Sequence, residues 1–200
     1  MRIGVPREPA DQPRAAASPQ TVERMIRLGY EVLVERGAGE RAQFPDDAYE
    51  AAGAQPAGGA RVWGCDVVLS ASAPGEEHLA LMSRGAVLIC RLDPARRPDL
   101  LEQLRERGIT CLALDVVPRI SRAQSLDVLS SQANLAGYRA VIEAAAHLGR
   151  LFSGQVPAAG KFPPATVYVI GAGVAGLSAI GTAYSLGAQV RGSDVRPEVA

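Results

Sequence analysis

A run of buried-strand type, Thr166-Val-Tyr-Val-Ile170, leads straight into Gly171-Ala-Gly173-Val-Ala-Gly176. The pattern predicts a helix over 177–186, a second strand over 189–192, and an acid, Asp194, just beyond it. A glycine triplet alone says little, because glycines are common in turns. Strand, turn, helix, strand and acid in this order restrict the segment to a βαβ unit of a parallel sheet. In such a unit Gly171 permits the tight turn, Gly173 lets the backbone approach a pyrophosphate, and Gly176 lets the helix pack closely on the strand. The helix N-terminus turns unpaired N–H groups and a positive dipole end toward the phosphates. Asp194, 18 positions past Gly176, stands where a carboxylate accepts hydrogen bonds from an adenosine ribose. The expected dinucleotide-binding set is therefore Gly171, Ala172, Gly173, Val174 and Gly176, with Asp194, Val195 and Arg196 after the second strand.

A carboxylate at 194 repels a 2′-phosphate, so NAD(H) is expected over NADP(H). Arg191 and Arg196 pull the other way, since a guanidinium accommodates that phosphate.

The 200 residues leave room for one or two domains. Aromatics make up only 4% of the chain against 48% hydrophobic residues, so any core must rest on Ala, Val, Leu and Ile. Twenty-one basic residues balance 21 acidic ones without a long single-sign block. That argues against a nucleic-acid partner and against a polybasic membrane anchor. There is no apolar run of about 18 residues, and Met1-Arg-Ile-Gly-Val-Pro reads as a strand rather than a signal peptide. A soluble domain without direct membrane insertion is expected. Cys65, Cys90 and Cys111 lie far apart in apolar runs with no CxxC, which reads as isolated, reduced, buried thiols. His78 and His147 fall on separate helical segments without neighbouring ligand types, so no metal site is expected.

The first 120 residues alternate strand and helix signals. Strands are expected at 3–5, 31–35, 66–70, 86–90 and 110–114, and helices at 76–82 and 98–107. Ser18-Pro19 supplies an N-cap and a first-turn proline for a further helix that Gly29 stops. Leu135, Tyr138, Val141, Ile142 and Ala145 then recur at helical spacing, predicting a long helix over about 130–151 that runs from one domain to the next. Gly154, Pro157, Gly160, Pro163 and Pro164 mark a loop after it. The expected fold is α/β, with two Rossmann-like, doubly wound parallel-sheet domains joined by a long helix. The expected boundaries are 1–127, 128–152 and 153–200. The second domain would be incomplete here, because a nucleotide-binding sheet of this kind needs five or six strands.

A second polar cluster runs from Pro118 to Val141 and includes Arg119, Arg122, Gln124, Asp127 and Ser130. Each residue taken alone reads as a cap or a surface charge. Together they offer the donors and acceptors that a nicotinamide carboxamide requires.

These residues resemble the NAD(H)-binding domain, in the alpha subunit, of proton-translocating nicotinamide nucleotide transhydrogenases. The resemblance covers essentially the whole chain, including Met1-Arg-Ile-Gly-Val-Pro-Arg-Glu and Val34-Glu-Arg-Gly-Ala-Gly39. It is strongest over Pro118–Val141 and from Ser153 through Gly176. It implies that Arg119, Gln124, Asp127 and Ser130 hold the nicotinamide end, with Gln124 near a second, docking nicotinamide. It further implies hydride transfer to NADP(H) on a partner domain or subunit, a membrane-spanning proton-translocating component, and a homodimer. Its implied location is the cytoplasmic face of a bacterial inner membrane.

Alanine dehydrogenases resemble the same architecture but carry a lysine and a histidine in the N-terminal domain. The corresponding places here hold Ser70 and Arg91-Leu-Asp-Pro94. Amino-acid oxidation needs a proton acceptor as well as a hydride acceptor. Passing a hydride between two nicotinamides needs only alignment. A non-catalytic NADH sensor is the other alternative, and the Gln124 loop speaks against it, since sensing needs no exposed nicotinamide face.

Overall fold

A computed structural model describes residues 1–199, and the chain divides into two compact units, Met1–Ile120 and Ser121–Ala200.

In the first unit six strands form one parallel sheet: β1 (Arg2–Val5), β2 (Glu31–Glu35), β3 (Gln55–Ala57), β4 (Val67–Leu69), β5 (Val87–Cys90) and β6 (Thr110–Ala113). Their spatial order is β3-β2-β1-β4-β5-β6. The doubly wound class expected from the sequence is therefore observed, with its topological switch point between β1 and β4. The helices α1 (Pro19–Arg27), α2 (Asp46–Ala51), α3 (Gly59–Trp63), α4 (Glu76–Leu79) and α5 (Pro98–Glu106) fill the connections. Strands covered on both faces read as continuous apolar runs rather than alternating ones. Val32 and Val34 of β2 join Val5, Val22 and Tyr49 in one buried cluster, while Leu33 between them joins Val62 and Cys65 in another. A third cluster gathers Trp63, Val68, Leu79, Leu88, Cys90 and Leu104.

Three elements in this unit carried no sequence signal: α2, β3 and α3. Strand β3 is only Gln-Pro-Ala, and Pro56 pairs with Val34 at the edge of the sheet. Proline has no N–H to donate and is tolerated there because one side of an edge strand needs no partner. The expected helix at α1 is observed with Ser18 as its cap, the Ser18 hydroxyl accepting from the Thr21 N–H at 3.2 Å.

The second unit holds α6 (Val128–His147), β7 (Thr166–Ile170), α7 (Val174–Ser185) and β8 (Gln189–Ser193). Strands β7 and β8 pair in parallel from Thr166↔Gln189 to Ile170↔Ser193. Helix α6, expected as a connector, is counted within this second unit. Val141 of α6 is buried with Ala179, Ala183 and Ala188. The Gly/Pro-rich stretch before β7 is a loop closed by one antiparallel bridge, Gln155↔Phe162.

Candidate functional site

Strand β7 ends at Ile170, and the next residue, Gly171, adopts φ +95°, a conformation that costs a side-chain-bearing residue strain. The Gly171 N–H donates to the Ser193 carbonyl at 2.7 Å, tying the turn to the end of β8. Gly173 precedes the first residue of α7, and no side chain caps the helix there. A Cβ on Gly173 would meet nothing within 4 Å, so an outside group can approach that backbone. A Cβ on Gly176 would lie 1.7 Å from the Gly171 carbonyl oxygen, so the first turn of α7 rests directly on the strand–helix turn. Open backbone at Gly173, uncapped N–H groups and the positive end of α7 together suit an anion such as a pyrophosphate. A cavity of about 190 Å³ adjoins the turn, bounded by Ile170, Gly171, Ser193, Asp194 and Val195.

Asp194 sits at the mouth of this cavity with its side chain only 6% exposed. Its Oδ2 accepts from the Ala172 N–H at 2.7 Å and from Arg196 Nη2 at 3.0 Å. Its Oδ1 accepts from the Arg196 N–H and from Arg196 Nε, both at 2.9 Å. The Arg196 guanidinium first, and the two backbone N–H groups after it, hold the Asp194 carboxyl well below the usual carboxylate range. Val195 beside it is 98% exposed.

The second polar cluster is built around the start of α6. Residues Ser121–Leu126 form a 3₁₀ segment anchored by buried Ala123, and Gln124 on it is exposed. Asp127 caps α6: its Oδ1 accepts from the Ser130 N–H at 2.9 Å and its Oδ2 from the Ser130 hydroxyl at 2.6 Å. Ser131 completes the cap by donating its hydroxyl to the Asp127 carbonyl at 2.9 Å. The structure thus brings Asp127 and Ser130 together. Arg119 is exposed and belongs to the first unit.

One residue important to this arrangement had no signal beyond its identity. A Cβ on Gly137 of α6 would lie 2.0 Å from the carbonyl oxygen of Ala175 in the first turn of α7. The two helices therefore touch backbone to backbone beside the glycine turn. The Ser178 hydroxyl reinforces the crossing by donating to the Asn134 carbonyl at 2.8 Å. A glycine inside an expected long helix, opposite a glycine-rich turn, was the only available hint.

At the switch point of the first sheet, Glu8 is buried and its carboxylate gathers the segment after β4. Oε1 accepts from the Ala71 N–H at 2.6 Å, Oε2 accepts from the Ser72 N–H at 3.0 Å, and the Ser70 hydroxyl lies 3.1 Å from Oε1. That hydroxyl is also 2.8 Å from the Ser72 carbonyl. The segment after β5 is held in turn by Asp115, which accepts from the Leu92 and Asp93 N–H groups at 2.9 and 2.7 Å. A cavity of about 210 Å³ opens nearby, with Arg7, Ser72, Trp63 and His78 in its wall. His78 is stacked on Trp63 with ring centroids 4.5 Å apart. One sequence expectation needs correcting here. Cys65, Cys90 and Cys111 are free thiols as expected, but Cys111 is only half-buried and lies on β6, beside the strand that carries Cys90. Cys111 nearby, and then burial, push the Cys90 thiol up.

Two family models match the chain: alanine dehydrogenase/PNT, N-terminal domain, over residues 4–136, and the C-terminal domain of the same family over residues 140–200. The NAD(P) transhydrogenase subunit alpha of Haemophilus influenzae is 52% identical over 200 residues, covering 100% of this chain and 39% of the relative. A transhydrogenase structure from Sinorhizobium meliloti superposes with a TM-score of 0.95 at 42% identity, covering 100% of this chain and 58% of that one. An L-alanine dehydrogenase structure superposes with a TM-score of 0.86 at 32% identity, covering 99% and 56%. The chain thus spans between about two fifths and three fifths of the length of these relatives. With both models matched in sequence order and the six-stranded sheet in place, the chain belongs to the alanine dehydrogenase/PNT family.

Proposed function

We propose that this chain is the NAD(H)-binding part of an NAD(P) transhydrogenase alpha subunit, presenting a dihydronicotinamide to NADP⁺ held on a partner domain. The turn of Gly171, Ala172, Gly173, Val174 and Gly176 would receive the pyrophosphate on N–H groups at the start of α7. Asp194 would receive the ribose hydroxyls, with Val195 and Arg196 beside the adenosine. Arg119, Gln124, Asp127 and Ser130 would hold the nicotinamide end. The Ser130 proton is directed at Asp127, which leaves the hydroxyl lone pairs able to accept from a carboxamide N–H. Gln124 brings both a donor and an acceptor.

In the reaction a hydride, one proton with its electron pair, leaves C4 of the dihydronicotinamide and bonds to C4 of the acceptor ring. NADH becomes NAD⁺, NADP⁺ becomes NADPH, and no proton passes to a side chain. The residues need only bind, align and exclude water. The same reading includes coupling to proton translocation, a homodimer, and a place on the cytoplasmic face of a bacterial inner membrane. No helix among the described residues is long and apolar enough to cross a membrane, so the reading assigns the span to another component.

The observation that carries the choice of reaction is Ser70. It stands where a dehydrogenase of this architecture would be expected to carry lysine, and its hydroxyl is held between Glu8 and the Ser72 carbonyl. A serine hydroxyl in place of an amine suits transfer between two nicotinamides better than amino-acid oxidation. In the complete subunit assembled with its NADP(H)-binding partner, NADH deuterated at C4 should pass its label to NADP⁺ without exchange with solvent. Alanine-dependent reduction of NAD⁺ would overturn this reading in favour of a dehydrogenase. NADH binding without transfer would overturn it in favour of a sensor.

A further inference from the structure

A carboxylate offers about four lone-pair positions on its two oxygens. All four are engaged at Asp194: Oδ1 by the Arg196 N–H and Nε, Oδ2 by the Ala172 N–H and Arg196 Nη2. A ribose diol brings two further donors, and none of these positions is open to them. The four bonds differ in what it takes to break them. Two come from backbone N–H groups fixed by the glycine turn and by the chain after β8. The other two come from a single flexible side chain that is 51% exposed. Backbone N–H groups cannot turn away without moving the chain, whereas a half-exposed side chain can rotate into solvent, so the guanidinium is the part that yields.

Resting on the NAD(H) reading above, we propose that Arg196 is a displaceable latch on Asp194 and sets the discrimination between NADH and NADPH. Binding exchanges the two guanidinium bonds for the two ribose hydroxyls. The Arg196 backbone N–H keeps its bond to Oδ1, so the displaced guanidinium stays within reach of the 2′ position. A carboxylate alone at this place repels a 2′-phosphate, whereas a carboxylate with a released guanidinium beside it presents no net charge. Arg196 thereby softens the exclusion that Asp194 would impose by itself. This is a positioning and specificity role; Arg196 does not touch the reacting atoms.

The test is a set of dissociation constants for NADH and NADPH in the complete subunit, read from nicotinamide fluorescence at two salt concentrations. In Arg196→Gln the latch and the cation are both lost. NADH affinity should change less than about threefold, while NADPH binding weakens about tenfold, roughly the effect of one good charged contact. Arg196→Lys should recover most of the NADPH binding. Asp194→Asn leaves the guanidinium without its carboxylate and should swing the ratio toward NADPH by about tenfold or more. A purely structural Arg196 would weaken both nucleotides equally in Arg196→Gln, and that outcome, or an unchanged ratio, overturns the proposal. Failure of the unaltered subunit to bind NADH would instead overturn the assignment of the site, and the latch with it.

Discussion

The Tyr49 hydroxyl donates to the Ala17 carbonyl at 2.7 Å, from a side chain that is 1% exposed and packed edge-on against Phe44. Burial first, and the nearby Asp46 carboxylate second, push its pKa from an ordinary 10.0 up to about 12. A raised folded-state value means the neutral phenol stabilises the fold fully below pH 10.0 and loses that contribution as pH rises through about 12. Tyr49→Phe should therefore cost about 1–3 kcal/mol at neutral pH, because the Ala17 carbonyl is left buried without its donor. Urea unfolding of both forms should show the gap narrowing between pH 10.0 and about 12. A constant gap over that range would mean the phenol is not responsible. Residue-scale geometry at the candidate site was partly legible for a simple reason: Gly171, Gly173, Gly176 and Asp194 lie within one local unit whose order is written along the chain. The Arg196 bonds were not legible, because which donor an acid accepts depends on backbone directions that a one-dimensional pattern does not contain. The same holds for Glu8, whose partners Ser70, Ala71 and Ser72 arrive from more than 60 positions away.

Elements were readable to the extent that their own residues determine them. Strands β1, β2, β5 and β6 carry apolar runs, and α1 carries a serine cap followed by proline, so each was visible locally. Strand β3 was invisible because three residues with a central proline have almost no strand propensity; it exists because the edge of β2 is available to pair with. That Cys90 and Cys111 lie on adjacent strands was hidden for the same reason, since neighbouring strands are chosen by topology. The crossing of α6 and α7 shows how an element-scale contact can rest on a single hydrogen atom. At Gly137 a methyl group would fall 2.0 Å from the Ala175 carbonyl oxygen, and the obstacle is backbone, which cannot swing aside. Alanine gains about 1 kcal/mol in helix propensity over glycine, whereas overpacking costs about 1–3 kcal/mol, so the clash should win. Gly181 in α7 is the matched control, because a Cβ there meets nothing within 4 Å. Thermal unfolding should place Gly137→Ala below the unaltered protein and Gly181→Ala level with it or above. If both alanines stabilised, the close crossing would not be a constraint on the fold.

At the scale of the molecule, the two units are stabilised by separate buried clusters. The first has six strands and three buried clusters that include Leu33, Leu79, Leu88, Val5, Val22 and Trp63. The described residues of the second include β7, β8 and a cluster of Val141 with Ala179, Ala183 and Ala188. Burial of apolar surface is the dominant favourable contribution to folding, and each unit buries its own clusters, so the two can open separately. The proposed ligand contacts lie at Gly171, Ala172, Gly173 and Asp194, all in the second unit, so bound nucleotide should protect that unit. A ligand at 100 times its dissociation constant stabilises the state it binds by about 2.7 kcal/mol, which corresponds to roughly a hundredfold slowing of exchange wherever opening excludes the ligand. Saturating NADH should produce protection of that order in β7, α7 and β8 and leave β1, β2 and β4 unchanged. Protection confined to the first unit would place the nucleotide at the β1–β4 switch point and remove it from the glycine turn.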